Sequence, residues 1–234
     1  MRLRARNSNR KGTPCDARGQ ETMAYDLEEQ EQLAELKAWW NKYGNFILTV
    51  VTVVLLAFAA YNGWQWYQRE QASQAAGVYG QLEKALASRD VDKVGAYAEM
   101  LTSKYGSTAY APMAALQAAK AQAEAGKADR ARELLQWVID KSSQGELKAI
   151  AQVRLAGVLL DEKKYDEALK VLSGDVPAAQ AVAVADRRGD VLMAQNKVDE
   201  ARAAYAEALA KADAQHPMRQ LIQLKLDALP SSGS

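Results

Sequence analysis

The chain has 234 residues, a formal net charge of +1 and 49% hydrophobic residues. That is enough for one domain of ordinary size with a tail and an anchor, and the charge balance gives no global reason to bind nucleic acid. One cysteine, Cys15, and one histidine, His216, exclude an internal disulfide and any Cys/His zinc spacing. Alanine is abundant, glycine and proline are sparse, and β-branched runs are scarce outside one apolar stretch. An all-α chain is expected.

Residues 1–22 carry Arg2, Arg4, Arg6, Arg10, Lys11 and Arg18 among Gly12, Pro14 and Gly19, with almost nothing to bury. They read as a disordered leader. The plainest expectation is translated upstream sequence before a true start at Met23. A basic arm for anionic lipid and a mitochondrial-type presequence are the alternatives.

Residues 23–45 change character. Glu28, Glu29, Glu31 and Glu35 alternate with Leu27, Leu33 and Leu36, which predicts a modest amphipathic helix capped by Asp26.

Residues 46–67 follow. From Phe46 to Tyr61 sixteen residues carry no charge, and extension to Tyr67 gives twenty-two. Spanning ~30 Å of hydrocarbon takes about 20 helical residues. Trp39, Trp40 and Tyr43 flank the run on one side, and Tyr61, Trp64, Trp66 and Tyr67 on the other. Such paired aromatic belts mark two membrane interfaces. Ala57-Phe58-Ala59 resembles a signal-peptidase site, but the region before it is long and acidic rather than short and basic. A retained transmembrane helix is therefore expected. Lys37 and Lys42, with the basic leader, lean toward an N-terminus inside and a C-terminus outside.

Residues 68–230 turn to regular helical hairpins, before a tail at 231–234. Three segments align, 115–131, 152–168 and 185–201. Their turns centre on Gly126, Lys163 and Asn196, followed by Asp129, Asp166 and Asp199 as caps or first-turn acids. Ala131, Ala168 and Ala201 are 37 and 33 residues apart, a period of helix–turn–helix repeats. Small residues recur twelve before each, at Ala119, Ala156 and Gly189. Large ones follow four after, at Leu135, Leu172 and Tyr205. Small positions allow two helices to cross closely, and the large residues fill the space beside them. A fourth unit, 73–104, fits in length, with Gly95 at the alanine position and Glu83 at the small one. Met218–Leu229 reads as a terminal capping helix after Pro217.

The spacing resembles the tetratricopeptide repeat, although the early aromatic and the closing proline of that repeat are missing. The resemblance implies a right-handed α-solenoid whose concave face is lined by the first helix of each hairpin. Its groove positions fall on Met113, Leu116, Lys120, Val153, Leu160, Asp186, Asp190 and Met193. Methionine and leucine there suit varied apolar segments. Several of these residues can equally pack between repeats.

No motif for catalysis occurs: no GxGxxG, no P-loop, no GxSxG and no histidine within the repeats. His216, before a proline, reads as a polar residue at a helix start. No enzyme activity and no cofactor are expected.

From Met23 the chain resembles the YfgM family, ancillary subunits of the bacterial Sec translocon. The acidic opening from Met23 to Leu33, the lead-in Trp39-Trp40-Asn41-Lys42-Tyr43-Gly44 and the Leu-rich end from Leu221 to Leu226 carry the likeness. The resemblance implies an inner-membrane anchor with a cytoplasmic N-terminus and a periplasmic repeat domain. It also implies SecYEG, the periplasmic chaperone PpiD and unfolded translocated polypeptides as partners, with a non-enzymatic role in passing those polypeptides on. In some members of that family the cytosolic part also restrains a stress-response regulator. A membrane-anchored scaffold in cell-envelope assembly is the alternative, and a hydrolase with an unrecognised site a third.

Overall fold

The structure, a computed structural model, describes residues 17–174 and 176–230, with side chains from Glu31 onward. Among the described residues it is all-helical, with no strand, as the composition requires. Helix α1 runs Ala17–Ala87, followed by α2 (Val91–Lys104), α3 (Tyr110–Glu124), α4 (Ala128–Lys141) and α5 (Gly145–Asp161). Then come α6 (Tyr165–Val171), α7 (Ala178–Ala194), α8 (Val198–Lys211) and α9 (Arg219–Asp227).

Helix α1 runs without a break through the segment boundaries expected near the N-terminus. It begins within the expected leader, whose residues 1–16 lie outside the described residues, and it passes through Asp26, which is therefore interior and not a cap. The chain has no proline between Pro14 and Pro112. Gly44 and Gly63 alone do not end a helix, since glycine costs only about 1 kcal/mol in one.

The chain divides into two compact units at Gln65 and Trp66. By length and composition one helix segment, Glu31–Ala87, is long and apolar enough to cross a membrane, the only such segment among the described residues. Its large side chains point outward: Phe46 is 69% exposed, Leu56 65% and Phe58 65%. Its polar side chains turn onto the helix itself. The Thr49 hydroxyl donates to the Asn45 carbonyl at 2.7 Å, Thr52 to Leu48 at 2.7 Å, and Asn62 Nδ2 to Phe58 at 2.9 Å. In hydrocarbon no water would satisfy these groups, so internal bonding is what a lipid-facing helix needs. Trp39 stacks at a tilt against Trp40 and Tyr43, with centroids 6.4 and 5.8 Å apart.

In the second unit the helices pack in chain order: α2 on α3, α3 on α4, α4 on α5, α5 on both α6 and α7, α7 on α8, and α8 on α9. Four hairpin turns share one geometry. Arg89, Gly126, Lys163 and Asn196 all have φ between 57 and 75°. In each, the next amide bonds back to the carbonyl five residues earlier, at 2.8–2.9 Å: Asp90 to Ala85, Lys127 to Gln122, Lys164 to Leu159 and Lys197 to Leu192. This is the left-handed helix stop that satisfies otherwise orphaned carbonyls.

The turns fix the repeat register, and with it a correction to the first unit. Five residues after each left-handed residue stand Val94, Ala131, Ala168 and Ala201. The alanine position of the first unit is therefore Val94 and not Gly95, and its partner twelve earlier is Leu82 and not Glu83. The size order there is inverted. Leu82, Val94 and Ala98 run large, large, small where Ala119, Ala131 and Leu135 run small, small, large, and all six are buried. Filling the same space with the sizes exchanged keeps core density.

The acids after the turns are first-turn residues. Lys127, Lys164 and Lys197 occupy the caps, with no side-chain cap bond. Only α2 has the expected kind of cap among these helices, where Asp90 accepts from the Lys93 amide at 3.1 Å. Helix α6 has 7 residues against 14 in α4 and α8, since Gly174 and Pro177 follow it closely.

Candidate partner-binding surface

The eight groove positions lie on α3, α5 and α7, the first helices of their hairpins. They do not form one open surface. Met113 and Lys120 are exposed on α3, where Lys120 pairs loosely with Glu124 at 3.7 Å. Leu116 is buried in the central apolar cluster, and its carbonyl accepts from Arg154 of α5 at 2.9 Å. Val153 and Leu160 are half-buried against that same cluster, and Met193 against the C-terminal one. Neighbouring helices cover what an isolated hairpin would expose.

Asp186 and Asp190 are occupied by the end of the chain. Lys225 of α9 donates to both Asp186 oxygens at 2.8 and 2.9 Å and to Asp190 Oδ1 at 2.7 Å. Asp190 also accepts from the Tyr205 hydroxyl at 2.8 Å, and Arg187 reaches its other oxygen at 3.3 Å. Asp186 is only 5% exposed. Burial pushes its carboxyl above the usual range, Lys225 pulls it back down, and the charge of Asp190 adds to the rise. Burial, with the bond to Asp190, also pushes the Tyr205 hydroxyl well up, so it stays a donor at neutral pH. Apolar contacts hold α9 in place, with Ile222 and Leu229 buried in the cluster of α7 and α8.

Residues that the sequence pattern did not single out matter here. Lys225 is the one charge inside a leucine-rich run, Leu221-Ile-Gln-Leu-Lys-Leu. That was a signal that a buried acid awaited it. Two clefts open between successive second helices. One, of about 580 Å³, lies among α2, α3 and α4, with Gln122 and Trp137 in its lining. The other, of about 1060 Å³, lies among α4, α5 and α6 over Leu155 and Leu159, where α6 stops short. Among the described residues no group of His, Cys, Asp and Glu converges to hold a metal. His216, the single histidine, accepts from the Met218 amide at 3.2 Å in the turn before α9.

Comparison with known proteins places this arrangement. A family model described as a tetratricopeptide repeat-like domain matches residues 37–231, taking in the apolar stretch as well as the hairpins. The chain is 34% identical over 208 residues to the "Ancillary SecYEG translocon subunit" of Neisseria gonorrhoeae, covering 88% of this chain and 100% of that relative. The chain belongs to the ancillary SecYEG translocon subunit family. A relative of the same name from Aggregatibacter actinomycetemcomitans is 30% identical over 210 residues, 88% of this chain and 100% of its own length. That of Escherichia coli matches over 120 residues at 32% identity, 51% of this chain and 58% of the relative. Family membership therefore covers the apolar helix and the repeats together, and the likeness read from Trp39, Trp40 and the Leu-rich end holds.

Proposed function

We propose that this chain is a non-enzymatic inner-membrane adaptor at the Sec translocon, whose repeat domain helps hand translocated proteins to periplasmic chaperones. The observation that carries this reading is the uncharged helix from Phe46 to Tyr61. Its apolar side chains face outward, and its polar ones are satisfied internally. Such a surface is stable in lipid and costly in water. The relatives' shared name, which ties them to SecYEG, supplies the membrane and the neighbour.

The N-terminus lies in the cytoplasm and the repeat domain in the periplasm, following the lysines before the helix. Partner contact falls on the first-helix face around Met113 and Lys120, flanked by Val153, Leu160 and Met193. Leu116, Asp186 and Asp190 support that face from within. The partners are SecYEG, PpiD and unfolded translocated polypeptides.

The test is membrane pull-down with mass spectrometry, using the intact chain and one lacking Phe46–Tyr61, with protease accessibility in spheroplasts. Translocon subunits and PpiD should co-purify with the intact chain only, and the repeat domain should be cut from outside. Recovery of cell-wall enzymes in their place would favour an envelope-assembly scaffold. Unchanged recovery without the helix would defeat the adaptor reading.

A further inference from the structure

Three first helices carry equivalent positions one residue after their small crossing residue: Lys120 on α3, Gly157 on α5 and Asp190 on α7. Three residues before these stand Gln117, Arg154 and Arg187. The charges on the outer two helices are matched. Arg187 bonds Asp190 at 3.3 Å, and Asp190 also takes Lys225 at 2.7 Å and the Tyr205 hydroxyl at 2.8 Å. Lys120 lies 3.7 Å from Glu124, and Glu83 holds the equivalent position on α1.

The middle helix carries an unmatched cation. Arg154 is exposed. Its Nη1 donates to the Leu116 carbonyl of α3 at 2.9 Å, which lays the side chain across the face toward α3. Among the described residues it makes no other hydrogen bond and no salt bridge. The nearest acids along α5, Glu146 and Asp161, are eight and seven residues away, about 10 Å or more of helix. The edge formed by Nε and Nη2 therefore stays open, and that fork matches the two oxygens of a carboxylate. Gly157 lies one turn further along α5. A Cβ added there would first meet the Arg187 guanidinium, at 3.8 Å. Glycine inside a helix costs about 1 kcal/mol against alanine. What it provides here is a depression between Arg154 and Arg187. Apolar surface flanks it, with Met113 42% exposed and Val153 and Leu160 half-buried.

We infer that Arg154 and the depression at Gly157 receive the carboxylate of an Asp or Glu side chain carried by an otherwise apolar polypeptide segment. The inference rests on the reading of the first-helix face as the partner-binding surface, and it names the chemistry that this face selects. The carboxylate pairs with Nε and Nη2 of Arg154, already held in place by the Leu116 carbonyl. Neighbouring apolar side chains of the segment lie on Met113 and Val153. A neutral segment gains the apolar contacts alone, and a basic one meets Arg154 with like charge.

The experiment uses the full chain in nanodiscs of zwitterionic lipid, with empty nanodiscs as the blank. Two labelled peptides, each apolar with an amidated C-terminus, differ only in a central Glu or Gln and are read by fluorescence anisotropy. The Glu peptide should bind at least about tenfold more tightly than the Gln one. Arg154→Gln should remove that preference and leave the Gln peptide bound as before, which a misfolded variant would not do. Lys104→Gln, which removes an exposed charge on α2, should leave both affinities unchanged. Equal binding of the two peptides by the parent, or a preference that survives in Arg154→Gln, would overturn the inference while leaving the face a polypeptide site. Binding of neither peptide would defeat that reading of the face, and the inference with it.

Discussion

Gly189 and Tyr205 are fitted to each other: a Cβ added at Gly189 would sit 2.4 Å from Cε1 of the Tyr205 ring. The two middle hairpins solve the same crossing with alanine and leucine, Ala119 with Leu135 and Ala156 with Leu172, all buried. The last hairpin has a smaller residue and a larger one. The ring then delivers its hydroxyl to Asp190 at 2.8 Å, which leucine cannot do. Here packing volume and the polar network are one design.

Gly189→Ala should therefore destabilise the repeat domain by about 2 kcal/mol, because overpacking outweighs the gain in helix propensity. Adding Tyr205→Leu should restore part of that loss, so the double variant melts above the sum of the single effects. Urea midpoints of the three variants check this.

Lys163 holds a left-handed backbone, φ 61°, at a turn where the preceding hairpin uses Gly126. Lysine has a Cβ that this conformation crowds, and its side chain is exposed. Lys163→Gly should raise stability by up to about 1 kcal/mol, and Gly126→Ala should lower it by a similar amount. Thermal melts of the two variants, with opposite shifts, are the check.

Lys225→Met leaves Asp186 and Asp190 facing each other without their cation, beside Arg187 and the Tyr205 hydroxyl. The expected loss at pH 7 is about 3 kcal/mol, nearer the low end for a broken buried pair because Lys225 is 25% exposed. The sign of its pH dependence follows from Asp186. Its folded carboxyl already lies above its ordinary value, and losing the lysine moves it higher. A carboxyl raised in the folded state binds its proton there first. Stability thus improves as the pH falls through the folded value and worsens as it rises. The variant's deficit against the parent should therefore be smaller at pH 5 than at pH 7. Denaturant titrations at both pH values measure it.

Much of this was legible in the sequence. The apolar helix showed because sixteen uncharged residues between tryptophans seldom occur outside a lipid-spanning segment, and the hairpins because Gly126 and Asn196 are natural helix stops. The first hairpin was misregistered by one. Gly95 looked like the small crossing residue, while the true position is filled by Val94 with its sizes exchanged against Ala98. Glycine at 95 answers instead to Gln122, whose amide reaches Val91 thirty-one residues away, and no local pattern carries that. Lys225 and its two aspartates are likewise 35 and 39 residues apart. They hid because charge on a helix is ordinarily solvated. Groove positions transferred residue by residue could not foresee that α9 would close over Asp186 and Asp190.

The membrane-anchored adaptor is tested most directly by alkaline carbonate extraction of membranes from cells making the full chain. The chain should stay in the membrane pellet, and a chain lacking Phe46–Tyr61 should be released. Release of the intact chain into the supernatant as a soluble monomer would contradict the anchor and everything placed beside it.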